Sequence, residues 1–423
     1  MSFSRQIFEF LKAASIAHAK WDMEVSTSIL KNKKKLFFLF MMALPILGIS
    51  FVEAGDFIGG KTAYGPAFYT TQIFMVSIFI GLCAGLITGC IGAGGGFIIT
   101  PALMAAGIKG ILAVGTDLFH IFAKAIMGTA VHKKMGNVSM KLAMAFLVGS
   151  GGGTFIGGMI NKSLYNKDPL LSEIFISSIY AILLGFLGIY SMMDFISATR
   201  KNKSQPKGSG HDNIHDGPAD GMTSLGAKFQ SMKIPPMITF DADVIPGGRQ
   251  ISGWVVAVGG VFVGILAAIM GVGGGFITFP MFVYVFGVSS MTTVGTDILQ
   301  IIFTAGLSAI VQYAIYGYVF YTLAMGMLIG SLFGIQVGAL TTKVVKGIHI
   351  RGFYAVAISA GFINRASILP KKLNELNIIS LSSSLVNNIE AMGNYLFWIA
   401  VFIFTGWIFL KFFSSIGKLR EEG

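Results

Sequence analysis

Asp117, His120 and Lys124 sit in one apolar stretch, "VGTDLFHIFAKA". Spacings of three and seven place all three on one face of a helix. A carboxyl, an imidazole and an ammonium inside an apolar run are costly and seldom idle. The carboxyl can relay a proton or gate a cavity, the imidazole can carry a coupled proton, and the ammonium supplies the charge that an anion needs. The plainer alternative is internal glue, with Asp117 paired to Lys124 or His120. The "VGTD" element recurs at Val294–Asp297, where Asp297 is followed by Gln300 and Thr304 at the places of His120 and Lys124. Thr116 and Thr296 precede the two carboxyls and are candidates both for capping a helix and for contacting a ligand.

A second pair of motifs stands just upstream. "IGAGGGFIITP" (Ile91–Pro101) returns as "MGVGGGFITFP" (Met270–Pro280), with seven of eleven residues identical. Each glycine inside a helix costs about 1 kcal/mol against alanine, so a cluster can open the chain. Open backbone at membrane depth is tolerated only where it is buried in protein or lines a wet cavity. A half-helix restarting at Phe97 or Phe276 would aim its N–H groups and positive dipole end into the gap, which suits an anion. Gly94, Gly95 and Gly96, with Gly273, Gly274 and Gly275, are the expected backbone donors. Close helix packing is the competing account of the glycines. Soluble nucleotide loops fit badly: no Lys-Ser/Thr follows, and Phe97 stands where a dinucleotide fingerprint needs Gly.

The rest of the chain makes lipid the solvent for these motifs. Its 423 residues are 54% hydrophobic and only 12% charged, with mean hydropathy +0.75, against roughly 25% charged in soluble proteins. The net charge of +12 does not point to nucleic acid, because the basic residues flank apolar runs rather than forming stripes. Cys83 and Cys90 share one apolar run and read as packing residues. No metal centre or cofactor is expected. His211, Asp212, His215 and Asp216 have i, i+4 spacing, but Gly and Pro on both sides argue against the helix that a metal pair would need.

Apolar runs long enough to span lie at 36–53, 72–91, 111–131, 139–160 and 174–197, then at 252–270, 292–316, 319–341, 349–366 and 394–413. Shorter runs at 93–106 and 272–287 follow the glycine clusters. If all twelve reverse the side, most Lys and Arg clusters fall on the cytoplasmic side, with Lys109, Lys162, Lys167, Arg365, Lys371 and Lys372 as exceptions. The chain is therefore expected to be an all-α multi-pass protein of the cell (inner) membrane, with both termini cytoplasmic. It divides into an amphipathic segment (1–35), a first span and outer loop (36–71), a first membrane repeat (72–197), a cytosolic linker (198–250), a second repeat (251–366), and a polar insert with last span and tail (367–423). The amphipathic segment is read as lying on the membrane surface, and 36–53 as a retained span rather than a signal peptide. Within the linker, "MKIPPMITFDADVIP" is expected to be a short ordered element.

The two repeats match at an offset of about 180 residues, as Gly92 to Gly271 and Asp117 to Asp297 illustrate, and Gly149, Gly153 and Gly157 answer Gly330, Gly334 and Gly338. Five segments per repeat is an odd number, so the copies should have inverted topology, an architecture common among secondary transporters. The G-x-G-G-G-F-I-x-x-P element followed by V-G-T-D, present twice, resembles the TauE/SafE sulfite-exporter family over about 72–197 and 252–360. The resemblance implies export or exchange of small sulfur-containing anions such as sulfite or organosulfonates, driven by an ion gradient. Read together, the motifs suggest a small anionic solute held by the glycine donors, Thr116, Thr296 and Lys124, with Asp117, His120, Asp297 and Gln300 in coupling to protons or in gating. A passive anion channel and an intramembrane enzyme are the alternatives, and no nucleophile set supports the latter. Oligomeric state is left open by the sequence.

Overall fold

The computed structural model describes residues 71–91, 96–134, 139–204, 224–241, 247–342, 345 and 347–415. The amphipathic segment, the 36–53 run, Gly94, Gly95 and the His211–Asp216 cluster lie outside them. The first half contains α1 (Thr71–Ile91), α2 (Gly96–Ala105), α3 (Gly110–Lys134), α4 (Met140–Lys167) and α5 (Pro169–Ser204). The linker contributes α6 (Ser224–Ser231) and an antiparallel hairpin, β1 (Met237–Phe240) with β2 (Arg249–Ser252), in which Ile238 faces Ile251. The second half follows with α7 (Gly253–Met270), α8 (Gly275–Pro280), α9 (Ser290–Leu307), α10 (Tyr321–Thr342), α11 (Gly347–Glu375) and α12 (Ser383–Ser414). Wide π-helical turns extend α8 over Met281–Val285 and α9 over Ser308–Ala314.

This is an all-α polytopic membrane protein. Among the described residues, six helices are long and apolar enough to cross a membrane: α1, α4, α5, α7, α11 and α12. Large apolar side chains such as Val148, Ile182, Phe186, Trp254, Val258 and Leu410 stay on the outside of the bundle. That is the distribution expected where hydrocarbon, not water, wets the surface.

Small residues decide which helices touch. Gly85 of α1 sits against Ser331 of α10, and Gly334 against Leu82; a Cβ at Gly85 would lie 2.6 Å from the Ser331 carbonyl oxygen. The same arrangement joins α4 to α7, where Gly157 meets Ile265 and Gly264 meets Ser150. Contacts advance together along both chains, so each of these pairs is parallel. By contrast α5 and α11 are antiparallel, with Gly185 on Phe362 and Gly352 on Phe195. Helix α3 runs antiparallel to α9, where Gly115 meets Tyr313 and Gly306 meets Phe122. Glycine lets backbones approach in lipid because dispersion contacts, not water release, drive association there. Gly149, Gly153 and Gly157, and their counterparts Gly330, Gly334 and Gly338 in α10, thus serve close packing.

Three boundaries differ from the sequence expectation. Helix α5 continues to Ser204, past the start of the linker at 198. The polar insert at 367–393 is largely helical: α11 runs through Pro370 to Glu375, and α12 already begins at Ser383, where the Ser382 hydroxyl accepts from the Leu385 N–H. Polar side chains hid both ends, since hydropathy tracks lipid exposure and not helix length. Third, α3 and α9 start at Gly110 and Ser290. Thr116 and Thr296 consequently sit in the second turn and do not cap their own helices.

The described part of the linker is tied to the second half. Asp241, at the end of β1, accepts from the Ser289 N–H at 2.8 Å and from its hydroxyl at 2.7 Å. Arg249 donates to the Gly287 carbonyl at 2.7 Å, and Gln230 to that of Phe286 at 2.8 Å. The hairpin thus holds the loop that joins the α8 segment to α9.

Candidate functional site

The second glycine cluster is a genuine break. Helix α7 stops at Met270, Gly271 adopts φ 79° and Gly273 and Gly274 adopt 64° and 92°, and α8 restarts at Gly275. Such left-handed backbone is open to glycine and costly to other residues. A helix end leaves carbonyls without partners, and here buried side chains take them up. Tyr313 donates to the Ala268 carbonyl at 2.7 Å, Asn161 to that of Ile269 at 3.0 Å, and Tyr180 to that of Met270. Thr304 reaches the Gly273 carbonyl at 3.3 Å. Asn161→Ala should accordingly lower the stability of the purified protein by about 0.6–1.7 kcal/mol, the scale of interhelical side-chain hydrogen bonds in a membrane protein, read as a lower midpoint of thermal unfolding in detergent.

After the first glycine cluster the chain is described from Gly96 onward, and the start of α2 packs against the second break. A Cβ at Gly96 would come within 2.7 Å of the Val272 Cα, and the Phe97 and Phe276 rings stand 5.9 Å apart. Gly271 in turn abuts the backbone of Val114 and the hydroxyl of Thr100. The half-helices restart at Gly96 and Gly275, one residue earlier than Phe97 and Phe276. Beyond the paired prolines the halves diverge: Pro101 stays within α2, while Pro280 leads into the π-helical turn.

Asp117 and His120 meet at this junction. The Thr100 hydroxyl donates to Asp117 Oδ2 at 2.8 Å, so α3 grips the half-helix α2. His120 Nε2 shares a 2.8 Å hydrogen bond with the Ser331 hydroxyl of α10. His120 Nδ1 and Asp117 Oδ1 face each other at 3.8 Å, beyond hydrogen-bond reach, and both are buried without another partner among the described residues. Lys124, half-buried one turn further on, is near enough for its charge to act on both.

The second half repeats the plan without the cation. Asp297 Oδ1 accepts from Gln300 at 2.8 Å, Gln300 also donates to Thr278 of α8 at 3.2 Å, and Thr304 bonds to the Gln300 side chain. Each carboxyl-bearing helix therefore holds the half-helix of its own half. Thr116 and Thr296 are engaged elsewhere: Thr116 accepts from the Phe320 N–H at 2.9 Å, and Thr296 from the Ser139 N–H at 3.0 Å. Each caps the fourth helix of the opposite half, α10 and α4 respectively.

The sequence reading missed Thr100, Thr278, Asn161, Tyr180, Tyr313 and Ser331. Polar groups in apolar runs were the available signal, but a lone Thr, Tyr or Ser in such a run is common enough to pass unnoticed.

A family model described as "Sulfite exporter TauE/SafE" matches residues 77–364. The chain belongs to the TauE/SafE sulfite exporter family. That match takes in both glycine clusters and both carboxyl-bearing helices of this TauE/SafE protein. Among curated relatives it is similar to the "Probable membrane transporter protein YunE" of Bacillus subtilis, 26% identical over 281 residues, covering 64% of this chain and 89% of the relative. A "Probable membrane transporter protein" of Xylella fastidiosa is 22% identical over 273 residues, covering 64% and 85%. No solved structure matches the TauE/SafE chain. The family and these relatives support a membrane transporter that works on a small solute in a lipid environment.

Proposed function

We propose that the protein is a secondary transporter that exports small sulfur-containing anions such as sulfite or organosulfonates, by alternating access of two inverted halves and coupled to an ion gradient. The reading is carried by the junction in which the start of α2 packs on the second helix break, with the Asp117–Thr100 pair against Gly271. Inverted halves are supported by the exchange of partners. The first helix of each half packs parallel on the fourth of the other, while α3 and α9, and α5 and α11, cross antiparallel to their counterparts. The reciprocal bonds of Thr116 and Thr296 follow the same two-fold pattern.

In this scheme the first N–H groups of α2 and α8 and the Lys124 ammonium attract the anion. Gly94 and Gly95 would add donors on the first side, and Gly273, Gly274 and Gly275 on the second. Asp117 and His120 form the coupling pair. With a 3.8 Å gap between Oδ1 and Nδ1 on neighbouring turns of α3, a small side-chain rotation closes a hydrogen bond through which a proton can be shared. Asp297 and Gln300 hold α8, the half-helix of their own half, and act in gating. Both termini are cytoplasmic in the inner membrane.

Reconstituted vesicles test this directly. Efflux and uptake of sulfite, thiosulfate, taurine-like sulfonates and sulfate are compared with and without a pH gradient. Saturable sulfite flux that responds to the gradient is expected. Lys124→Ala should raise the KM for the anion about tenfold, equivalent to about 1.4 kcal/mol; unchanged affinity and rate would remove Lys124 from the site.

A further inference from the structure

Arg365 of α11 is fully buried, and its guanidinium lies against the half-helix α2. Its Nη1 donates to the Met104 thioether at 3.1 Å and its Nη2 to the Pro101 carbonyl at 3.4 Å. The Asn364 side-chain oxygen accepts from Nε at 2.8 Å and also from Nη2. A guanidinium presents five N–H donors in a planar fork that matches two oxygens of one anion. Here the fork is spent on a weak sulfur acceptor, one carbonyl at the edge of hydrogen-bond range, and one amide oxygen. Among the described residues no carboxylate forms an ion pair with it. The acidic groups whose charge reaches it, Glu173 and Glu390, are paired with Lys372 at 3.0 Å and Lys371 at 2.7 Å. An ionised side chain buried in a membrane protein with so poor a partner set marks a solute path by default.

The position ties Arg365 to the junction. Pro101, which it holds, follows Thr100, which donates to Asp117. A cation and a carboxyl therefore grip adjacent residues of one half-helix, from α11 and from α3. We infer that Arg365 is a second anion-recognition residue, whose fork takes an oxyanion with two or more oxygens on one centre, of the sulfite or sulfonate type, when α2 shifts and the Pro101 and Met104 contacts open. The inference rests on the anion-transporter reading above. It adds a recognition residue on α11 to the Lys124 of α3.

The test uses the full chain in proteoliposomes, with sulfite as the probe. Arg365→Lys keeps the charge and loses the fork; it should raise the sulfite KM about tenfold while the maximal rate and the unfolding temperature stay near wild type. Arg365→Gln should raise it further. Met104→Gln leaves the arginine in place and gives Nη1 a stronger competing acceptor, so it too should raise the KM, and it covers the case in which the arginine variants do not fold. A purely structural strut predicts the opposite pattern, with lower stability and rate and an unchanged KM, and that result overturns the inference. Saturable wild-type flux with unchanged KM in Arg365→Lys and Met104→Gln overturns this inference alone. Absence of saturable anion flux in the wild type overturns it together with the transporter reading.

Discussion

Asp117→Asn should abolish gradient-driven accumulation of sulfite in proteoliposomes while downhill exchange persists. The substitution is nearly isosteric, and an amide oxygen can still accept from the Thr100 hydroxyl that now lies 2.8 Å from the carboxylate. What it removes is the group able to gain and lose a proton opposite His120 Nδ1. Coupling should therefore fail without loss of the α2–α3 contact. Gradient-driven uptake is expected to drop by at least about tenfold, corresponding to 1.4 kcal/mol or more of lost driving force, with exchange within about twofold of wild type. His120→Gln should show the same split, because it retains a donor for Ser331 but cannot carry charge at that position. Gradient-driven uptake that stays intact in both variants would remove Asp117 and His120 from coupling, and saturable flux that never responds to the gradient, in wild type and variants alike, would identify a passive channel.

Gly271→Ala should destabilise the protein more than any other single methyl addition near the break. Two effects add. The residue sits at φ 79°, where a side chain costs about 1–2 kcal/mol. Its new Cβ would also lie 2.7 Å from the Val114 Cα and 2.9 Å from the Val114 carbonyl, and backbone atoms cannot rotate away as a side-chain tip can. Relief requires the break to part from α3, which separates Thr100 and Asp117 from their setting. A fall of several degrees in unfolding temperature and loss of saturable flux are expected. Gly152→Ala in α4 is the control: no atom lies within 4 Å of the added methyl, and alanine is worth about 1 kcal/mol over glycine in a helix interior, so stability should hold or rise. Equal effects of the two substitutions would mean that the break at Gly271 is not a constrained junction.

Much of the candidate site was legible because membrane burial makes local sequence unusually informative. An ionisable side chain in an apolar run is expensive wherever it sits, so Asp117, His120 and Lys124 announce themselves. Glycine clusters repeated with their flanks announce a break. Other features were legible only as alternatives. Thr116 and Thr296 were candidates for capping or for binding a ligand, and the structure has them capping helices of the opposite half. Gly149 and Gly330 had the same composition signal as the breaking glycines but lie in unbroken helices, at contacts with Ala257 and Ile78.

The sequence by itself determined that this chain lives in lipid, that it is built twice from one pattern, and that its backbone opens near Gly273–Gly275. These follow from hydropathy, self-similarity and intrinsic helix cost, all local or periodic properties. Only the tertiary structure decided that the first helix of each half packs on the fourth of the other, and that Asn161, Tyr180 and Tyr313 receive the carbonyls freed at α7. It also decided that Arg365 reaches across to α2. Each of these joins residues far apart in the chain, and such pairings are fixed by which surfaces can approach closely and which orphaned polar groups must find a partner, conditions that no single stretch of sequence contains.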